Sequence, residues 1–140
     1  MAGWVADLRN SRFQPARAAG LDRDPIKHLK LKRTCGFRGA AAPFGQPTSL
    51  QGKRFVGSED GRVYALDSAA GCMGWSCKAS ATVKTAVRVG NQGNAAFFGD
   101  TNGFILIYAL ADGSFLWKAH PDAHSAARTP GSPPRVGQRL

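Results

Sequence analysis

Few residues of this 140-residue chain combine a type and a spacing that could do chemistry. Glu59 and Asp60 are adjacent carboxylates, a pair that can bind Ca²⁺ or exchange a proton as general acid and base. Ca²⁺ needs about six oxygen ligands or more. The local run Gly57-Ser-Glu-Asp-Gly61 supplies too few, so both acids read as residues of a hairpin tip. Cys72 and Cys77 do not form a C-x-x-C pair, and no C-x-x-C-H haem-attachment motif is present. Cys35 and Cys77 fall on equivalent positions of different strands, too far apart to bridge. His120 and His124 are isolated loop histidines, so no metal site is expected.

Charge offers a second kind of chemistry. The chain carries 19 Lys and Arg against 9 Asp and Glu, a formal net charge of +10. Residues 1–43 hold nine of the basic groups and only three of the acidic ones. Such an arm can bind nucleic acid or an acidic membrane surface, with strong salt dependence. The pattern favours the simpler reading, a solvated and partly irregular segment, with a basic nucleic-acid-binding module as an alternative. No apolar run of about 18 residues is present, so no membrane span is expected. The first residues lack the basic stretch and apolar core of a signal peptide.

The elements that would position these residues follow from a repeat. Gly57, Gly61, Gly71 and Trp75 return 42 residues later as Gly99, Gly103, Gly113 and Trp117. A period of this size marks a solenoid, a propeller or another array. Seventeen Gly and eight Pro favour short strands joined by frequent turns. In the first copy, strands are expected at Pro47–Leu50, Arg54–Gly57, Arg62–Leu66 and Met73–Lys78. In the second they fall at Val83–Val89, Ala95–Phe98, Phe104–Tyr108 and Ser114–Lys118. Four short antiparallel strands per period describe one blade of a β-propeller, so the expected fold is all-β, a partial propeller. The repeated glycines belong to turns, and each Trp lays a ring across the neighbouring blade while its N–H finds an acceptor.

The copies differ in detail. Tyr64-Ala-Leu66 matches Tyr108-Ala-Leu110 only at an offset of 44, which predicts a second copy whose strand is longer by two and whose turn is shorter by two. Upstream, Ala16–Leu21 suits a single helical turn. Ile26–Phe37 alternates Leu29, Leu31, Cys35 and Phe37 with Lys30, Lys32 and Thr34, the period of a strand with one buried face. Subtracting 42 from Trp75 gives Arg33, which predicts an earlier unit with Arg at the Trp position. The resulting division is an irregular segment at 1–26, an outer strand of an incomplete unit at 27–43, and blades at 44–79 and 80–120. The start of a further unit occupies 121–140. Gly137-Gln-Arg-Leu140 is similar to Gly52-Lys-Arg-Phe55, and a third unit without a cap is expected to belong to a longer array.

The sequence Tyr64-Ala-Leu-Asp67, followed by Gly71 and Trp75, resembles the tryptophan-docking repeat of quinoprotein propellers that bind pyrroloquinoline quinone (PQQ). Trp4, Asn10-Ser-Arg-Phe-Gln14, Ala18-Ala-Gly-Leu21, Leu29-Lys-Leu-Lys32, Gly57-Ser-Glu-Asp-Gly61 and Gly99-Asp-Thr-Asn-Gly103 narrow the likeness. They are similar to the opening of PQQ-dependent polyvinyl-alcohol dehydrogenase-like proteins. The resemblance implies a periplasmic propeller, usually of eight blades, that holds PQQ and Ca²⁺ on its axis and oxidises alcohols. Two complete units cannot close such a ring, so the chain is expected to need the remaining blades and to be inactive and aggregation-prone by itself. A non-enzymatic propeller scaffold for protein binding is the second reading. Toward the cofactor, the resemblance points to the innermost strand of each blade or the loop leading into it. Those positions are Lys84 and Thr85, then Arg128 and Thr129, where a cation could meet a PQQ carboxylate. Arg33 departs from the Trp of the repeat, and Cys35 and Cys77 stand where the family usually carries a large apolar side chain.

Overall fold

The structure is a computed structural model and describes residues 15–20, 23–37, 39, 43–90 and 94–121. Two short helical turns come first, α1 (Ala16–Ala19) and α2 (Arg23–Ile26). Gly20 ends α1 at φ 65°, the left-handed conformation that Gly adopts without a Cβ penalty, and its N–H donates back to Ala16 O. Among the described residues eight strands follow: β1 (Thr48–Leu50), β2 (Lys53–Gly57), β3 (Arg62–Asp67), β4 (Met73–Lys78), β5 (Arg88–Gly90), β6 (Ala95–Gly99), β7 (Ile105–Ala109) and β8 (Phe115–Ala119). They form two four-stranded antiparallel sheets in the orders β1-β2-β3-β4 and β5-β6-β7-β8.

The two sheets keep the 42-residue register throughout. Phe55, Ala65 and Trp75 stand opposite one another across β2, β3 and β4. Phe97, Ile107 and Trp117 do the same across β6, β7 and β8. The register shift at Ala65/Leu66 returns at Ile107/Tyr108. Turn hydrogen bonds agree: Gly71 N–H donates to Asp67 O at 2.9 Å, and Gly113 N–H donates to Ala109 O at 3.0 Å. Ala109 is therefore the counterpart of Asp67, and the expected two-residue lengthening does not occur. The Tyr-Ala-Leu match at an offset of 44 is a likeness of letters, and Tyr108 stands where the first sheet has Leu66.

Alternation places one face of each sheet in the core. Phe55, Val63, Ala65 and Cys77 from the first sheet meet Ala96, Phe98, Leu106 and Tyr108 from the second, with Val83 and Val87 of the connecting segment between them. Polar groups stitch the same seam. Thr48 Oγ1 donates to Val87 O at 2.5 Å, and Tyr108 OH donates to Lys78 O at 2.6 Å. The connecting segment that was expected as a long strand from Val83 pairs as β5 only from Arg88. Before that its backbone serves the seam, with Val83 N–H donating to Ser58 O and Thr101 N–H to Thr82 O.

Residues 29–37 carry no assigned strand. Leu29 and Leu31 are 65% and 83% exposed, so the expected buried face does not form there. Two-residue alternation alone does not make a strand without a neighbour to complete its hydrogen bonds. The segment does touch the first sheet: the Phe37 ring lies 4.6 Å from that of Tyr64.

Ser58 and Asp100 occupy equivalent positions and behave oppositely. Both are buried. Asp100 accepts from the N–H groups of Ser80, Asn102 and Phe104 and from the Ser80 hydroxyl. Ser58 Oγ has no hydrogen-bond partner among the described residues. An orphaned buried hydroxyl costs about 1–3 kcal/mol, and removing an acceptor that several donors share costs about as much or more. Ser58→Ala is expected to leave stability unchanged or raise it by about 1 kcal/mol, and Asp100→Ala to lower it by about 3 kcal/mol. Urea unfolding of the two variants measures the contrast.

Candidate functional site

Chemistry-bearing side chains collect where the two sheets meet. Lys84 and Thr85 lie in the connecting segment, and the structure treats them differently. Lys84 is exposed, with Nζ 5.1 Å from the centroid of the Phe44 ring, a distance at which a cation is held by the ring face. Thr85 is buried, and its hydroxyl is engaged twice by one residue: Oγ1 donates to Gly99 O at 3.1 Å and accepts from Gly99 N–H at 2.9 Å. That hydroxyl fixes the end of β6 against the seam. Arg128 and Thr129 lie outside the described residues.

The acidic hairpin is tied up locally. Asp60 Oδ1 accepts from Arg62 N–H at 3.0 Å, and Asp60 Oδ2 accepts from the Tyr64 hydroxyl. Burial, and then the Asp60 hydrogen bond, push the Tyr64 phenol up to about 12. Glu59 is exposed, and its carbonyl accepts from Thr82 Oγ1. Asp67 folds over its own turn and accepts from Ala70 and Ala69 N–H at 2.5 and 2.8 Å, which lowers its carboxyl below the ordinary range. His120 Nε2 lies 3.1 Å from Asn102 O, and its ring sits against Phe104. No group of three His, Cys, Asp or Glu is placed to hold a metal ion among the described residues. Cys35 and Cys72 are exposed free thiols and Cys77 is a buried one. Burial pushes the Cys77 thiol up to about 12.

The best-defined contact between the sheets is made by Trp75. Its Nε1–H donates to Leu110 O at 3.1 Å, and its ring covers Gly113 so closely that a Cβ there would meet Trp75 Cε3 at 2.6 Å. Gly113 also has φ 73°, so two independent constraints require glycine. Gly71, its counterpart at φ 72°, is covered in the same way by Arg33, whose Cδ would stand 2.7 Å from an added Cβ. Arg33 thus fills the place at the first sheet that Trp75 fills at the second. Trp117, the next in the series, is 50% exposed. Gly57 meets a different demand at a φ open to any residue: an added Cβ would stand 2.6 Å from Val83 Cγ1. Nothing in the sequence assigned Tyr108 and Asp100 a role at the seam. Neither keeps its residue type between copies, which removes the signal that marked the glycines.

Paired four-stranded sheets in a constant register, with a ring of one docked on a turn glycine of the other, are two blades of a β-propeller. The chain resembles the polyvinyl-alcohol dehydrogenase branch of the quinoprotein propellers. It is 32% identical over 137 residues to the polyvinylalcohol dehydrogenase of a Pseudomonas species, covering 94% of this chain and 21% of that protein. It is 32% identical over 136 residues to the polyvinylalcohol dehydrogenase of a Sphingopyxis species, covering 93% of this chain and 20% of that protein. The chain therefore spans about a fifth of the length of these relatives. No family model matches it. Among solved structures, BamB from Moraxella catarrhalis superposes with a TM-score of 0.52 at 18% identity, over 57% of this chain and 24% of that one. The quinohemoprotein alcohol dehydrogenase from Comamonas testosteroni gives a TM-score of 0.51 at 16% identity, over 58% of this chain and 13% of that one. The WD40 repeats of RRP9 give 0.54 at 15%, over 63% of this chain and 28% of that one. At these identities the structural likeness defines the fold alone, and the sequence likeness narrows the family.

A thiol count tests the seam. At pH 8 a thiol held at about 12 stays protonated, so a disulfide-exchange reagent is expected to titrate Cys35 and Cys72 rapidly in the folded chain and all three cysteines in urea. The folded pKa lies above the unfolded one, so the Cys77 contribution to stability is complete below about pH 8.5 and is lost as pH rises toward 12. Gly113→Val is expected to expose Cys77 and shift Trp emission to the red together, because it expels the Trp75 ring.

Proposed function

We propose that this chain supplies two blades of a PQQ-dependent, alcohol-oxidising propeller and that the rest of the ring completes the catalytic centre. The observation that carries the reading is its 32% identity to a polyvinylalcohol dehydrogenase across 94% of its own length but 21% of that protein. The described residues do not themselves make a PQQ and Ca²⁺ site. Lys84 is an exposed cation resting over the Phe44 ring, of the right charge for a quinone carboxylate. The Thr85 hydroxyl is already engaged by Gly99, and no acidic cluster among the described residues offers Ca²⁺ its oxygens. In the proposed assembly Lys84 contributes one charge to a site whose remaining groups come from elsewhere, with Arg128 and Thr129 as the matching positions of the next unit. Alcohol is the substrate class, and the periplasm is the compartment consistent with the family.

The test is an alcohol-oxidation assay with added PQQ, Ca²⁺ and an artificial electron acceptor. The chain alone is expected to give no turnover. In a hybrid in which it replaces the matching fifth of the Pseudomonas enzyme, turnover is expected and falls in the Lys84→Ala variant through weaker PQQ retention. Turnover by the isolated chain, or a well-folded hybrid that binds no PQQ, overturns the proposal.

A further inference from the structure

The second sheet presents, on the side away from the first, the same face that the first sheet buries. Phe97, Ile107 and Trp117 stand in one row there, as Phe55, Ala65 and Trp75 do in the first sheet. Phe55 and Ala65 are almost completely buried, whereas Trp117 is half exposed. The interface between the two blades shows what such a face accepts: a blade that offers a left-handed turn glycine beneath the Trp ring and a backbone carbonyl to its N–H.

The chain itself carries a second socket of that kind. Gly71 repeats Gly113 in position and in φ. The carbonyl that would correspond to Leu110 O belongs to Ser68, because Ser68 N–H donates to Gly52 O as Leu110 N–H donates to Asn94 O. This socket is filled by Arg33 of the exposed strap 29–37, which otherwise rests on the first sheet through Phe37 against Tyr64. Arg33 is a poor occupant. Its aliphatic stem covers the glycine while the residue stays exposed, and Leu29 and Leu31 of the same strap point into solvent. A Trp ring buries more apolar surface and brings a donor.

We propose that copies of this chain associate head to tail, with Trp117 of one copy entering the Gly71 socket of the next and displacing Arg33. The interface continues the one already built between the two blades. Arg33 acts as an internal competitor that weakens it. The two halves lie on different faces, so the contact is heterologous and can extend beyond a dimer. The proposal goes beyond the cofactor reading and rests only on the blade repeat.

Sedimentation velocity over a wide concentration range tests it on the full chain, with protection of Cys77 as the check on folding. The unaltered chain is expected to form a concentration-dependent ladder of species. Trp117→Ala removes the knob and Arg33→Trp fills the socket from within, so each variant alone is expected to stay monomeric. Arg33→Ala is expected to tighten association at least tenfold. An equimolar mixture of Trp117→Ala and Arg33→Trp is expected to form dimers and nothing larger, because only one productive contact remains. A monomeric unaltered chain, or association unchanged by Trp117→Ala, overturns the proposal. So does a mixture that fails to pair, or one that builds the full ladder. Any of these results leaves the propeller reading standing, since that depends on turnover and PQQ retention in the hybrid.

Discussion

The structure depends on one constraint: a four-stranded antiparallel sheet with two apolar faces cannot leave both in water. Between the two blades this is met by a Trp75 ring laid over a turn glycine, with its N–H on Leu110 O. The ring contributes area and the hydrogen bond contributes orientation, and the pair sets the approach of the sheets at their outer edge. Burial of Phe55, Phe98, Val63, Val83 and Val87 fills the space that this approach defines. Full burial of side chains of this size is worth about 1.5–3 kcal/mol each, so the Trp contact acts less as the main source of stability than as the device that sets register.

The same constraint explains why the seam is polar as well as apolar. The segment that joins the blades must run between them, and its backbone groups are removed from water there. Thr48, Thr85, Asp100 and Tyr108 each supply a side chain that reaches across or along the seam to pair with such groups. A buried backbone group left without a partner costs as much as a lost hydrogen bond, so these four are as necessary to the interface as the aromatic rings. They also account for the short length of β5. Backbone committed to Ser58 and Thr101 is not available to pair as a strand.

How much of this was legible in the sequence follows from which constraints act on residue type. A left-handed turn beneath a closely packed side chain admits only glycine, so Gly71 and Gly113 were visible at once, and Trp75 with them. Seven of the eight strands among the described residues came with that repeat to within about two residues. Asp100 was not legible, because its counterpart is Ser58 and the two copies solve the same turn differently. The Tyr-Ala-Leu match misled for the opposite reason: similar letters fell two places apart in register, and only the hydrogen bonds at Gly71 and Gly113 show which residues correspond. Segment 29–37 had the alternation of a strand but no strand partner among the described residues, a fact of tertiary structure that no local pattern contains. Of the two positions expected toward the cofactor, Lys84 lies at the surface, while Thr85 is engaged by Gly99, a contact 14 residues away that no local pattern contains.

At the position where the repeat calls for a ring, the chain carries Arg33, a side chain that can cover a glycine with its stem and still keep its charge in water. A Trp there would cover Gly71 as Trp75 covers Gly113 and would leave no weak occupant for another ring to displace. Arg tolerates a half-formed site because its cost of exposure is small, whereas a Trp left half exposed, as Trp117 is, keeps a large apolar surface available for binding. The two ends of the pair of blades are therefore unequal. One is closed by a residue that gains little from staying, and the other displays a residue that gains much from being covered. That asymmetry gives any contact between blades a direction, from the Trp face of one to the glycine turn of the next.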